Sequence, residues 1–274
     1  MLVSVAISPW LTRAWQKRLR NVMTWLALAM IVMACPPFAW IVDAIFGVAF
    51  LFWCIAWNRA SLSRIWLRAR TQTMVLMFFL LLVLPAIEWS HRRMPVIEGE
   101  PSDHLVVIGD SISAGLGEHV LPWPTIMQQI TKLDVRNLSR PGATMSDGMA
   151  MAEKVTGEDH LVLIELGGND LIARESAEVF EQALDGVLAK LAMAGRTIVM
   201  FELPLLPNRI AYGQIQRRLC ARYRVWLIPK RYLTGVIAGR DATSDGLHLT
   251  DVGARRMQAV VTRILLPVLG KQPH

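Results

Sequence analysis

Three short segments of this chain hold the residues best placed to do chemistry. Ser111 stands at the end of an apolar run, His104-Leu-Val-Val-Ile-Gly-Asp-Ser111. A glycine-rich stretch, Leu166-Gly-Gly-Asn-Asp170, follows, and near the C-terminus comes Asp245-Gly-Leu-His248. A serine hydroxyl is a poor nucleophile until a base takes its proton. His248 is the natural base, because imidazole exchanges protons near neutral pH. Asp245, three residues earlier, is the natural group to fix the imidazole tautomer and steady its charged form. Acyl transfer also needs donors waiting for the developing oxyanion, and backbone N–H groups at tight glycine turns or a side-chain amide supply them.

These residues need a scaffold, and the pattern after residue 100 supplies one. Apolar runs at 105–108, 161–166 and 197–202 read as buried parallel strands, with weaker ones at 135–138 and 225–228. Helical spacing falls between them, at 124–130, 145–155, 176–194, 210–223 and 250–266, with Gly195 past the third helix and Thr250 as N-cap of the last. The alternation predicts an α/β domain over 104–270 with a mainly parallel five-stranded sheet. Ligands in open sheets of this kind bind beyond the carboxyl ends of the strands. Ser111 follows the first strand, Gly142 the second and Asn169 the third, so all three converge on one edge.

Taken together and in order, the motifs resemble the SGNH (GDSL-type) serine hydrolase family. Gly109-Asp110-Ser111 matches its first block, and Gly142 in Ser139-Arg-Pro-Gly-Ala-Thr144 its second. Gly168-Asn169-Asp170 matches the third, and Asp245 with His248 the fourth. Val162–Asp170 looks especially like the bacterial thioesterase I/lysophospholipase L1 branch. The resemblance implies a three-layer α/β/α sandwich and a Ser111-His248-Asp245 triad. It also implies an oxyanion hole from the Ser111 and Gly142 N–H groups and the Asn169 amide. Asp110 and Gly168 would support that geometry. It implies no metal or organic cofactor, and no metal-ligand spacing of Cys or His is present. One departure is Leu249 after His248, where the family more often has proline; the catalytic pair is intact.

The resemblance does not reach residues 1–95, which differ in character. The whole chain is 53% hydrophobic, with a formal net charge of +7. Eight of the ten tryptophans lie at or before Trp89, and residues 1–100 hold 10 Lys/Arg against 4 Asp/Glu. Basic charge can signal nucleic acid, but here it flanks apolar segments, which points to membrane orientation and excludes a nucleic-acid partner. Spans are expected near 20–35, 38–57 and 73–89, the first two separated by Cys35-Pro36-Pro37. An alternative is one span plus a re-entrant piece within 22–57. Arg13, Lys17, Arg18 and Arg20 precede the first span, and Arg59, Arg64, Arg68 and Arg70 precede the third. Both clusters should be cytoplasmic, placing the domain after Trp89 in the periplasm or outside the cell. Residues 1–93 then form an all-α membrane region and 94–103 a linker. Cys220 is the sole cysteine after residue 100, so that domain has no internal disulfide.

The expectation is a multi-pass, inner-membrane serine esterase acting on an acyl ester, a thioester or a lysophospholipid. Its partners would be the bilayer, a lipid substrate, and a membrane protein bound through the helices. The same machinery would serve an acyl- or acetyltransferase, or a deacetylase, on a cell-envelope glycan if water were excluded. A non-catalytic assembly module is the remaining alternative; it predicts a depleted catalytic set, and the set is complete.

Overall fold

The computed structural model describes residues 91–116, 120–193, 195–205 and 209–270, with scattered positions between 48 and 89. The expected membrane spans fall almost wholly outside the described residues, as do Cys35, Asp43 and Cys54. Among the described residues no helix is long and apolar enough to cross a membrane.

Five parallel strands form the centre: β1 (His104–Gly109), β2 (Asp134–Asn137), β3 (Leu161–Glu165), β4 (Thr197–Phe201) and β5 (Trp226–Ile228), in the order β2-β1-β3-β4-β5. The inner strands β1, β3 and β4 are apolar along nearly their whole length because both faces are covered. Leu105 and Val107 of β1 face one core, shared with α2 (Trp123–Thr131), α7 (Arg231–Ile237) and α8 (Asp251–Leu265). Val106 and Ile108 face the other, shared with α3 (Gly148–Ala152), α4 (Gly168–Ala173), α5 (Ala177–Leu191) and α6 (Ile210–Tyr223). The result is a three-layer α/β/α sandwich around the expected sheet.

Several boundaries differ from the sequence reading. The helix expected over 145–155 is confined to α3, because Asp147 Oδ2 instead accepts from the Thr144 N–H and hydroxyl, both at 2.9 Å, and closes a turn there. A four-residue helix, α1 (Ser111–Ala114), went unpredicted, as did α4 and α7. The stretch 94–103, expected to be a linker, packs on the domain. Ile97 is buried in the α2/α8 core, and Ser102 pairs with Leu269, its N–H donating to Val268 O and its O accepting from Gly270 N. Its prolines and acids have the composition of a tether, but one buried isoleucine and one bridge are enough to fix it.

Candidate active site

The sheet reverses direction of growth between β1 and β3, and the site residues gather at the carboxyl ends of these two strands. Gly109 pairs with Glu165 across the ladder, so the first and third sequence blocks leave the sheet side by side. A Cβ on Gly109 would stand 2.7 Å from Ser113 Cβ, so only glycine lets the chain fold back here into α1. Ser111 opens α1 and is 6% exposed. Asp110 caps this helix: its Oδ1 accepts the Ile112 N–H at 2.9 Å. The N–H of Ser111 has no acceptor among the described residues.

The second block is tied to the first by the continuing ladder, Arg140 N–H to Gly109 O at 3.1 Å. Asn137 adds a second tie, Nδ2 to Ser113 O at 2.9 Å. Gly142 follows with φ +73, and a Cβ there would meet open space. Its glycine is therefore required by conformation, not by crowding. Among the described residues the Gly142 N–H also lacks an acceptor.

In the third block Gly167 takes φ +110 and α4 begins directly after it. Gly168, Asn169 and Asp170 thus lie on a helix, not in a turn. Asn169 Nδ2 donates to Ala143 O at 2.9 Å and, at a longer 3.4 Å, to Asp110 Oδ2. One amide therefore links all three blocks. A Cβ on Gly168 would stand 3.4 Å from the same Asp110 oxygen. Asp170 Oδ2 accepts the Met145 N–H at 2.9 Å, while its buried Oδ1 has no partner among the described residues. Burial raises the Asp170 pKa against that hydrogen bond.

Asp245 and His248 share one turn between α7 and α8. Asp245 Oδ1 accepts the backbone N–H of Leu247 at 3.0 Å and of His248 at 2.8 Å, and Oδ2 meets His248 Nδ1 at 2.6 Å. The His248 N–H and then its side chain hold the Asp245 pKa well below the usual carboxylate range. The turn is braced by the Thr243–Leu249 bridge and by the Thr250 cap on α8, whose hydroxyl accepts the Gly253 N–H. With Nδ1 facing Asp245, Nε2 is left for a substrate or nucleophile. The His248 imidazole lies close enough to Asp110 for a charge on it to act on that carboxyl.

The sequence reading passed over Glu165, the last residue of β3. It is buried and accepts from Ser113 Oγ at 2.9 Å, and Ser113 Oγ accepts in turn from Trp123 Nε1 at 3.1 Å. Burial, then the charge of Asp110, pushes the Glu165 carboxyl well above its ordinary range. Burial likewise lifts Asp110 to about 6, opposed by the Ile112 N–H. Both effects favour a proton held between the two acids directly behind the Ser111 turn. The available signal was a carboxylate inside an otherwise apolar parallel strand. Cys220 is buried, and burial pushes its thiol up to about 12, so it is inert.

A serine turn at a strand end, an amide beside it and an Asp-His turn on the same domain are the parts that a Ser-His hydrolase on an α/β sheet requires. Residues 107–256 match the model of the GDSL-like Lipase/Acylhydrolase family. The chain belongs to that family and is a serine-type ester hydrolase. Among its relatives, esterase TesA of Pseudomonas aeruginosa is 29% identical over 180 residues, covering 60% of this chain and 89% of that protein. The thioesterase 1/protease 1/lysophospholipase L1 of Escherichia coli K12 is 26% identical over 178 residues, covering 58% and 86%. A crystal structure of TesA superposes with a TM-score of 0.53 at 30% identity, covering 61% of this chain and 99% of that one.

Proposed function

We propose that this chain is a membrane-anchored serine esterase that cleaves acyl esters through an acyl-enzyme, with Ser111, His248 and Asp245 as its triad. The Asp245–His248 contact of 2.6 Å carries the reading, because it presents a tautomer-fixed imidazole with Nε2 free. His248 Nε2 takes the Ser111 hydroxyl proton as Oγ attacks the acyl carbonyl. The C=O electron pair moves onto oxygen, where the Ser111 and Gly142 N–H groups and the Asn169 amide receive it. Collapse of this intermediate breaks the bond to the leaving alcohol or thiol, which takes the proton from His248. Water then attacks the acyl-enzyme with the same proton route and regenerates the Ser111 hydroxyl.

The relatives named esterase and thioesterase/lysophospholipase support oxygen esters, thioesters and lysophospholipids as substrate classes. The apolar segments near 20–35, 38–57 and 73–89 and their flanking arginines support an anchor with the hydrolase domain on the far side of the inner membrane. Fluorophosphonate labelling of the full chain, beside Ser111→Ala, tests the nucleophile. Labelling that disappears in the variant, with turnover of p-nitrophenyl esters in water, is the expected result. Folded wild-type protein that does not label removes the triad. Labelling without turnover moves the reading to acyl transfer. Reporter fusions after residues 57 and 89 test the topology, and an outward-facing 58–72 loop overturns it.

A further inference from the structure

One concavity lies away from Ser111, further along the same edge of the sheet. A cavity of about 790 Å³ opens at the carboxyl ends of β4 and β5, where Glu202 and Pro229 form part of its lining. Its other wall is the segment 88–93. Moving from β1 to β4 crosses two ladder steps, and β5 adds a third, so the cavity lies roughly 10–14 Å along the sheet edge from the nucleophile.

The charges of this cavity are unbalanced. Its two carboxylates, Glu88 and Glu202, are both committed to Arg217 behind them. Arg217 donates to Glu88 at 2.8 and 2.9 Å and to Glu202 at 2.7 and 2.8 Å. That leaves Arg92, Arg93 and Arg231 around the opening. Among the described residues the three arginines have no carboxylate within ion-pair distance. Two of them are oriented by aromatic rings instead. Arg231 lies 4.7 Å over the Tyr232 ring and donates to its hydroxyl at 3.1 Å, and Arg93 lies 5.5 Å from the Trp89 centroid. A ring face steers a guanidinium without neutralising it. Oriented, unneutralised guanidinium groups around a concave site match a phosphate, whose oxygens accept paired N–H bonds.

We infer that this cavity is a second ligand site, taking a phosphate-bearing molecule on Arg93 and Arg231 with Arg92 beside them. It is distinct from the acyl-ester site and does not depend on the esterase reading. The phosphate has two candidate sources, a phospholipid headgroup or a soluble organic phosphate. The wall 88–93 follows directly on the apolar run 73–89, which favours the headgroup.

Arginine modification by phenylglyoxal tests this on the full chain in a neutral detergent, read peptide by peptide by mass spectrometry. The probes are inorganic phosphate, glycerol 3-phosphate, and micelles doped with phosphatidylglycerol or with uncharged diacylglycerol. A phosphate-bearing probe at roughly ten times its Kd should slow modification of Arg93 and Arg231 about tenfold. Arg140 and Arg218, exposed and ion-paired elsewhere, should not change. Protection by phosphatidylglycerol alone supports a headgroup, and protection by the soluble phosphates supports a free ligand. No protection by any phosphate probe, or equal protection by chloride or diacylglycerol, overturns the site. Fluorophosphonate labelling of Ser111 in the same samples reads the esterase proposal separately, so failure of one is distinguishable from failure of the other.

Discussion

Ser111 sits among groups that act through geometry and through charge, and the two kinds of role give different variants. Asn169→Ala removes the proposed oxyanion donor and also the tie to Ala143 O. It should lower kcat by about 10²–10³ with a smaller change in KM, measured on a p-nitrophenyl ester. Glu165 acts by holding a proton. A carboxyl raised in the fold binds its proton more tightly there than in the unfolded chain. Its stabilising contribution is complete below its ordinary value and is lost as pH rises through its folded value, which is about 6 for Asp110 and well above the ordinary range for Glu165. Glu165→Gln keeps an acceptor for Ser113 and cannot ionise. Denaturant melts should show it gaining on the wild type as pH rises, by about 1–3 kcal/mol near neutrality, with no gain under acid conditions where both acids are protonated. A gain independent of pH would remove the shared proton.

At the scale of elements, the second-block turn depends on backbone conformation alone. Gly142→Ala has room for its methyl group but must hold φ +73, at a cost of about 1–2 kcal/mol. Thermal melts should show that loss, and fluorophosphonate labelling of Ser111 should slow as the N–H is re-aimed. The inner strands and long helices were legible in the sequence, because buried parallel strands read as apolar runs and α5 and α8 carry Ser176 and Thr250 as caps. The four motif segments were legible for a different reason, since turns that aim side chains tolerate few residue types. What escaped was local or long-range. α1 is too short to show a period, and α7 (RYLTGVI) contains Thr, Gly and Val, all weak helix formers. Glu165 looked like an interruption within a strand, because its partners Ser113 and Asp110 lie more than fifty residues away.

Across the whole molecule, Arg217 joins Glu88 to Glu202, with side chains 12%, 7% and 2% exposed. Burial alone would raise the Glu88 pKa, but the Arg217 hydrogen bonds and charge outweigh it and hold the carboxyl below its usual value. Arg217→Ala leaves two buried carboxylates without a counter-charge and should cost about 3–5 kcal/mol in chemical denaturation. It should also expose residues 88–103 to limited proteolysis in the folded protein. Because Glu88 titrates below its ordinary value, this clasp contributes above that range and is lost as pH falls through it. Proteolysis of the wild type at the same segment should therefore increase under acid conditions.

The clasp joins residues 129 positions apart, and so decides where a mechanical load enters the domain. Chain order alone would deliver tension from the N-terminal side first to Ile97 and Ser102, then straight into β1 and the Ser111 turn. With Glu88 gripped by Arg217, that pull is diverted into the middle of α6, on the side of the sheet away from β2. The strand that leads into Ser111 would then be loaded after the far helix, not before it.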